Sequence, residues 1–342
     1  MNKNIILAVV LALIVGAIVF LQKPAPQTAS QPAATRGNAP ELAGIAGTIN
    51  TDGITIGELI GKKVILLDIW TYSCINCQRT LPYITAWYKK YKDHGLEIIG
   101  VHSPEFAFEK NIENVQRAVD KFGITYPVVL DNDHATWNAL NNRYWPAKYL
   151  IDINGNIVWK HFGEGAYDEA ERQIQKLLKQ RMERLGLQNG ISTDMADVTA
   201  PAVNFNQIGT PELYLGHDFT RGNFGNPQGL PPQQTVTYAL PDTFAKNNIY
   251  LAGDWFVDND HVRLVSEKGA VVLRYDAKNV NIVASATPGS TLDVSVDETP
   301  TETIVVNNDD LYTVVAGTDY GEHLLRIDVN GAGFKLYTFT FG

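Results

Sequence analysis

The sequence predicts an α/β domain, a mixed sheet with flanking helices, followed by an all-β domain of sandwich or jelly-roll type. Three observations predict it. Between residues 41 and 187, apolar runs of strand length alternate with segments of helical periodicity. From Asn204 to Gly342, Gly, Asn, Asp and Pro punctuate short runs that read as roughly eight to ten strands. A polar, helix-breaking stretch at 188–203 separates the two and reads as a linker. The globular part is too long for one small core and comfortable for two.

The chain begins differently. Ile5 to Leu21 is an unbroken apolar run between Lys3 and Lys23, so residues 1–22 read as an N-terminal membrane anchor or a signal segment. The anchor is the preferred reading, and either one implies export. Residues 23–40 are rich in Pro, Ala, Gln and Thr and read as a flexible tether. A net charge of −9 and a pI near 5.3 argue against nucleic acid as a partner.

In the α/β domain, Ile54, Ile56 and Leu59 suggest a β-hairpin ahead of the central strand. Val64 to Trp70 is β-branched and almost wholly apolar, as a strand buried on both faces would be. A helix follows, with Leu81, Ile84, Trp87, Tyr88 and Tyr91 at three- and four-residue steps. Leu96 to Val101 reads as a second strand ending at His102, and a helix is expected from about Glu105 to Phe122. A strand over Tyr126–Leu130 and a short helix over His134–Asn142 come next. The strand ending at Asp152 joins Ile157–Phe162 through an Asn154-Gly155-Asn156 hairpin signal. A last helix runs from about Tyr167 to Leu185.

The only two cysteines, Cys74 and Cys77, fall where the central strand ends and the first long helix begins. A thiolate there faces unsatisfied backbone N–H groups and the positive end of the helix dipole. Cys74, on the exposed side of the turn, is the expected nucleophile, and Cys77, one turn further in, the resolving thiol. The alternatives are a permanent disulfide or half of a zinc site. A four-residue ring constrains the unfolded chain little, and no second CxxC supplies zinc ligands, so no metal site is expected.

The wording Trp70-Thr71-Tyr72-Ser73-Cys74-Ile75-Asn76-Cys77, with Asp68 before it, resembles the active-site segment of the thioredoxin superfamily. Within that superfamily it is similar to the TlpA-like thiol–disulfide oxidoreductases and to the periplasmic part of DipZ-type proteins. The resemblance implies a thioredoxin-like domain whose only redox group is the Cys74–Cys77 disulfide, with no added cofactor. It implies that Asp68 is a buried proton carrier for Cys77 and that Trp70 packs under the dithiol. Pro146 would follow a cis peptide in the loop facing the disulfide, and Trp145 would offer backbone to an extended substrate. Tyr72, Ile75 and Asn76 are the further substrate-binding candidates. His102, at the end of the second strand, is a weaker site candidate. Two departures stand out: Ile-Asn separates the cysteines instead of thioredoxin's Gly-Pro, and Thr80 occupies a position where some TlpA-like reductases carry a glutamate.

The same resemblance implies a reductase of protein disulfides on the periplasmic side, tethered by residues 5–21 and fed electrons by a separate CcdA/DsbD-type membrane protein. It also implies a carbohydrate-binding-like C-terminal module, on the wording Pro211-Glu212-Leu213-Tyr214-Leu215-Gly216, with Tyr214, Trp255 and Tyr275 as candidate rings for stacking on a glycan. In that domain, Leu336–Phe341 is expected to put Tyr337, Phe339 and Phe341 on one face. The competing functions are a dithiol oxidase of opposite electron direction, and a cell-envelope glycan-binding protein with a vestigial dithiol.

Overall fold

The structure, a computed structural model, describes residues 39–342 apart from 189, 201–202 and 287–288. The apolar run at 5–21 and nearly all of the tether lie outside the described residues. Among those described, no helix is long and apolar enough to cross a membrane.

The first domain is built on a six-stranded mixed sheet. Its strands are β1 (Gly47–Ile49), β2 (Val64–Trp70), β3 (Leu96–His102), β4 (Val128–Leu130), β5 (Ala147–Ile151) and β6 (Ile157–Phe162), in the order β1-β4-β3-β2-β5-β6. β2, β3 and β4 run parallel, and β1, β5 and β6 pair antiparallel to their neighbours. Every residue of the central strand β2 is buried. Val64, Leu66 and Trp70 pack on one face, while Ile65, Leu67 and Ile69 pack on the other. That two-sided burial is why the strand reads as an apolar run instead of an alternation.

Five α-helices flank the sheet: α1 (Ile56–Leu59), α2 (Ile75–Tyr91), α3 (Ile112–Lys121), α4 (Ala135–Ala139) and α5 (Tyr167–Leu185). α5 is tied to α2 by Glu171, buried at 3 % exposure, which accepts from Trp87 Nε1, Tyr91 Oη and Lys90 Nζ. The same carboxylate accepts the Ala196 amide and so pins the segment leaving the domain.

Two expected elements differ. The hairpin ahead of β2 is the single helical turn α1: Thr55 caps it by accepting from Glu58 N, and Glu41 accepts from the Ile56 and Gly57 amides. The three-residue step from Ile56 to Leu59 is helical, and the free N–H groups are met by side-chain oxygens rather than a partner strand. The helix expected over 105–122 is divided into a 3₁₀ turn at Ala107–Lys110 and α3. Asn111 starts the helix again by accepting from Glu113 N, while Glu109 turns inward.

The second domain is all-β, with eleven strands among the described residues where eight to ten were expected. They are β7 (Leu213–Tyr214), β8 (Gln234–Tyr238), β9 (Ile249–Val257), β10 (Val262–Leu264), β11 (Lys268–Asp276), β12 (Asn279–Ser285), β13 (Ser290–Val296), β14 (Thr299–Val306), β15 (Asp310–Ala316), β16 (Glu322–Asn330) and β17 (Lys335–Phe341). All these strands pair antiparallel. One sheet runs β14-β13-β16-β11-β9 and the other β8-β9-β10-β17-β12-β15, with β7 on β17. β9 belongs to both: Ile249–Ala252 pair with β11, and Gly253–Val257 with β8. The change of sheet falls at Gly253, at φ +99°, where a Cβ would lie 2.9 Å from the Lys268 carbonyl oxygen. A strand that turns this corner closes the sandwich around one apolar core.

The three aromatics of β17 do not share a face. Pairing with β12 skips a residue between Val283–Thr338 and Ala284–Leu336, a bulge centred on Tyr337. The bulge leaves Leu336, Phe339 and Phe341 in the sandwich core and turns Tyr337 outward.

Tyr337 thereby joins the cluster that seats the two domains on each other. Phe106 and Phe108, from the loop after β3, pack against Tyr337, with ring centroids 5.1 and 4.8 Å apart, and Tyr214, Val283 and Leu311 complete the cluster. Around it, Tyr214 Oη donates to Glu105 at 2.8 Å, Tyr72 Oη to the Asp309 carbonyl at 3.1 Å, and Lys121 pairs with Asp310 at 2.8 Å. The buried rings dominate the energetics, since an exposed ion pair adds little. Phe106 is 2 % exposed. Replacing it with alanine is expected to lower the unfolding free energy by about 3 kcal/mol, as for other buried phenylalanines. A loss below about 1 kcal/mol in chemical denaturation would show that the seat is not packed as described.

Candidate functional site

The dithiol sits at the first turn of α2. Cys74 is the N-cap residue, and its Sγ accepts from the Cys77 amide at 3.3 Å. It is half-buried, whereas Cys77 is 1 % exposed, and both thiols are free. Burial, and after it the contact with Cys74, pushes the Cys77 thiol well above the ordinary range. An outer accessible sulfur and an inner protonated one are what a two-step exchange needs.

Beneath Cys77 lies a buried charge. Asp68 is on the α2 side of β2, 1 % exposed, and neither carboxylate oxygen has a hydrogen-bond partner. Burial raises its pKa from 3.8 to about 6, against the opposing pull of Lys148. Lys148, directly across the β2–β5 ladder from Asp68, is itself fully buried, and its ammonium donates to the Gly163 carbonyl at 3.3 Å. Burial pulls the lysine down while Asp68 holds it up. Both groups shift toward their neutral forms, so desolvation outweighs their mutual attraction, as is usual for buried pairs. Trp70 shares this face, fully buried, with its Nε1 unpartnered. Tyr126 Oη, also buried and unpartnered, feels the charges of Asp68 and Cys77.

The loop before β5 contains the cis Trp145–Pro146 peptide. Pro146 is buried and its carbonyl accepts from Gly163 N at 2.8 Å. The Trp145 ring lies 4.2 Å from that of Trp137 and its Nε1 donates to the Ser103 carbonyl. Cys74, Cys77, Asp68, Trp70 and Pro146 are thus placed by the end of β2, the start of α2 and the start of β5.

The other expected contacts divide. Tyr72, read as a substrate contact, is 2 % exposed and bonded across the domain seat, so it faces away from solvent. Ile75 packs against the Phe106–Tyr337 cluster. Asn76 accepts from Arg79 at 2.6 Å and lines a surface cleft. His102 is fully buried, stacked on Tyr72 and edge-on to Trp70; burial lowers its pKa to about 3, so it is neutral and serves the core. In the sandwich, Tyr214, Trp255 and Tyr275 are 6 %, 0 % and 1 % exposed and cannot stack on a sugar. Trp255 and Tyr275 belong to the sandwich core and Tyr214 to the domain seat, because their positions on the strands face inward.

Two participants were missed by sequence reasoning. Lys148 carried a signal, a charge inside the apolar run Ala147–Ile151, which is anomalous for a central strand. Glu109 carried none. It is fully buried, accepts from Ser73 Oγ at 2.6 Å and from the Glu105 and Phe106 amides, and so ties the residue before Cys74 to the loop that seats the sandwich.

Residues 37–178 match the Redoxin family, and residues 210–342 match the family described as thioredoxin like C-terminal domain. The fold and dithiol define the class: a thioredoxin-like domain carrying a CxxC pair at the start of its first long helix. The chain belongs to the thiol–disulfide oxidoreductases of this fold. It is 31% identical to thiol-disulfide oxidoreductase YkuV of Bacillus subtilis, over 43% of this chain and 92% of that protein. It is 34% identical to thiol-disulfide oxidoreductase ResA of Halalkalibacterium halodurans, over 37% of this chain and 69% of that protein. Within the family its likeness to protein DipZ of Mycobacterium tuberculosis is more extensive, 38% identity over 90% of this chain. The alignment spans 43% of the length of DipZ.

The raised Asp68 pKa has a sign that can be tested. Between about pH 4 and pH 6 the native protein holds a proton that the unfolded chain has lost, so Asp68 lowers stability as pH rises through that window. The step from 3.8 to about 6 corresponds to about 3 kcal/mol. Asp68→Asn is expected to remove this slope, so that variant and wild type converge near pH 4 and diverge by up to about 3 kcal/mol by pH 7. A pH-independent difference in denaturation midpoints would place the proton elsewhere.

Proposed function

We propose that the chain is an extracytoplasmic reductase of protein disulfides. Cys74 attacks a substrate disulfide, forming a mixed disulfide and expelling the other substrate sulfur as thiolate. Asp68 takes the proton of Cys77, whose sulfur then attacks Cys74 Sγ. The second substrate thiolate leaves, two electrons have passed to the substrate, and the Cys74–Cys77 disulfide remains. The dithiol is its own redox centre, without an added cofactor. Trp145 and the loop at Pro146 present backbone to the substrate.

The observation that carries the reading is the depth difference within the pair, a half-buried Cys74 at the helix N-cap over a buried Cys77 next to an anionic Asp68. The direction of flow is supported by what surrounds the first turns of α2. Strong oxidants draw their power from a stabilised reduced form. Here Arg79, the basic residue of those turns, is neutralised by Glu164 at 2.7 Å and held by Asn76. Regeneration then requires an electron donor, for which a CcdA/DsbD-type membrane protein is the proposed source, with residues 5–21 as the tether. The opposite direction, an oxidase, differs only in poise.

Reduced Cys77→Ser is expected to accumulate mixed disulfides with substrate through Cys74, and Cys74→Ser to form none and to lose disulfide turnover. Non-reducing electrophoresis followed by mass spectrometry checks both, and adducts on the Cys74→Ser protein would invert the assignment. The reduction potential of the full chain separates the two directions. A value near about −270 mV or lower makes it a reductase, and one near about −120 mV an oxidant.

A further inference from the structure

Four residues flanking Cys74, two on each side, are engaged by the second domain or by its seat. Tyr72 donates to the Asp309 carbonyl, and Ser73 donates to Glu109 in the seating loop. Ile75 packs on the cluster around Tyr337. Asn76 opens into a cleft of about 210 Å³ whose other walls are Phe205, Ile208, Thr210, Glu212 and Phe341, all beyond the first domain. Of the two residues between the cysteines, Ile75 packs on the domain seat and Asn76 faces the segment leading into the sandwich.

The cleft is built, not left over between surfaces. Phe205 begins a 3₁₀ turn capped by Asn204, whose side chain accepts from Asn206 N and whose own amide donates to Tyr320 Oη. The Arg79 guanidinium lies 5.9 Å from the centroid of the Phe205 ring and is itself fixed by Glu164 and Asn76. Thr210, 2 % exposed, donates to Asn247 and accepts from the Asp276 amide. A phenylalanine 52 % exposed, in a cleft walled by a residue that lies between the two cysteines, is an unusual use of apolar surface. The cleft is smaller than the roughly 300 Å³ at which small-molecule sites begin, and suits one side chain.

We infer that the second domain forms one wall of the substrate groove, and that the cleft between Asn76 and Phe205 receives an apolar side chain adjacent to the half-cystine of an extended polypeptide. The inference rests on the reductase reading and adds to it a specificity-determining surface outside the thioredoxin-like domain. Ile208, Phe205 and Phe341 supply the apolar contact, and Glu212 leaves room for a basic group at its edge. Cys74 caps the helix whose second residue, Asn76, walls the cleft, and on this inference a substrate attacked by Cys74 places its neighbouring residue there.

The test uses the full chain, reduced beforehand, in single turnover against two disulfide-linked peptide dimers that differ only in leucine or glycine next to the cysteine. Wild type is expected to reduce the leucine dimer about tenfold faster, the effect of one well-buried side chain contact. Phe205→Ala is expected to bring the two rates within about twofold, and Phe205→Leu to restore most of the preference. Val305→Ala, at a 51 % exposed position on β14, serves as the control and is expected to keep it. Equal rates in wild type, or a leucine preference that survives in Phe205→Ala, would overturn the inference. Wild-type rates with both dimers no faster than a simple dithiol would instead bring down the reductase reading, and the groove with it.

Discussion

Keeping a carboxylate, an ammonium and a thiol together in a fully buried place is the constraint on which the rest of this molecule depends. Asp68, Lys148 and Cys77 share the space between β2 and α2, and none is compensated by a full set of hydrogen bonds. Such groups persist only in a surrounding that is over-determined. Here the surrounding is the two-sided burial of β2, the Glu171 network that clamps α5 to α2, and the antiparallel register that sets Lys148 opposite Asp68. What results is a carboxyl raised to about 6 whose charge is felt by the neighbouring Cys77 thiol.

The second domain is bound into this arrangement rather than appended to it. The loop after β3 supplies Phe106 and Phe108 to the interdomain cluster and Glu109 to Ser73, so the packing that seats the sandwich also fixes the residue before the nucleophile. A bulge at Tyr337 and a corner at Gly253 shape the sandwich for that contact. The rings expected to stack on a sugar, Tyr214, Trp255 and Tyr275, are consumed by core and seat, which turns the question of its role toward access at the dithiol.

Much of the thioredoxin-like domain was legible in the sequence. β2 over Val64–Trp70 and α5 over Tyr167–Leu185 have the bounds that apolar run and helical period foretold, because long elements with one unbroken pattern leave the chain few alternatives. Short elements were less legible. The three-residue β1 and single-turn α1 carry too few side chains for a period, and capping by Thr55 and Glu41 decided between helix and hairpin. The inward turn of Glu109, which breaks the expected helix over 105–122, answers to partners at Ser73, far along the chain.

By itself the sequence determined the class of chemistry. Two cysteines three apart between a buried strand and an amphipathic helix bring their own geometry, since strand end and helix start are local consequences of local patterns. The tertiary structure alone decided which neighbours the dithiol has. Lys148 meets Asp68 only through the pairing of strands distant in sequence, and Asn76 meets Phe205 only because the sandwich docks where it does. A residue's burial and field depend on what arrives from elsewhere in the chain, and no periodicity within ten residues encodes that arrival.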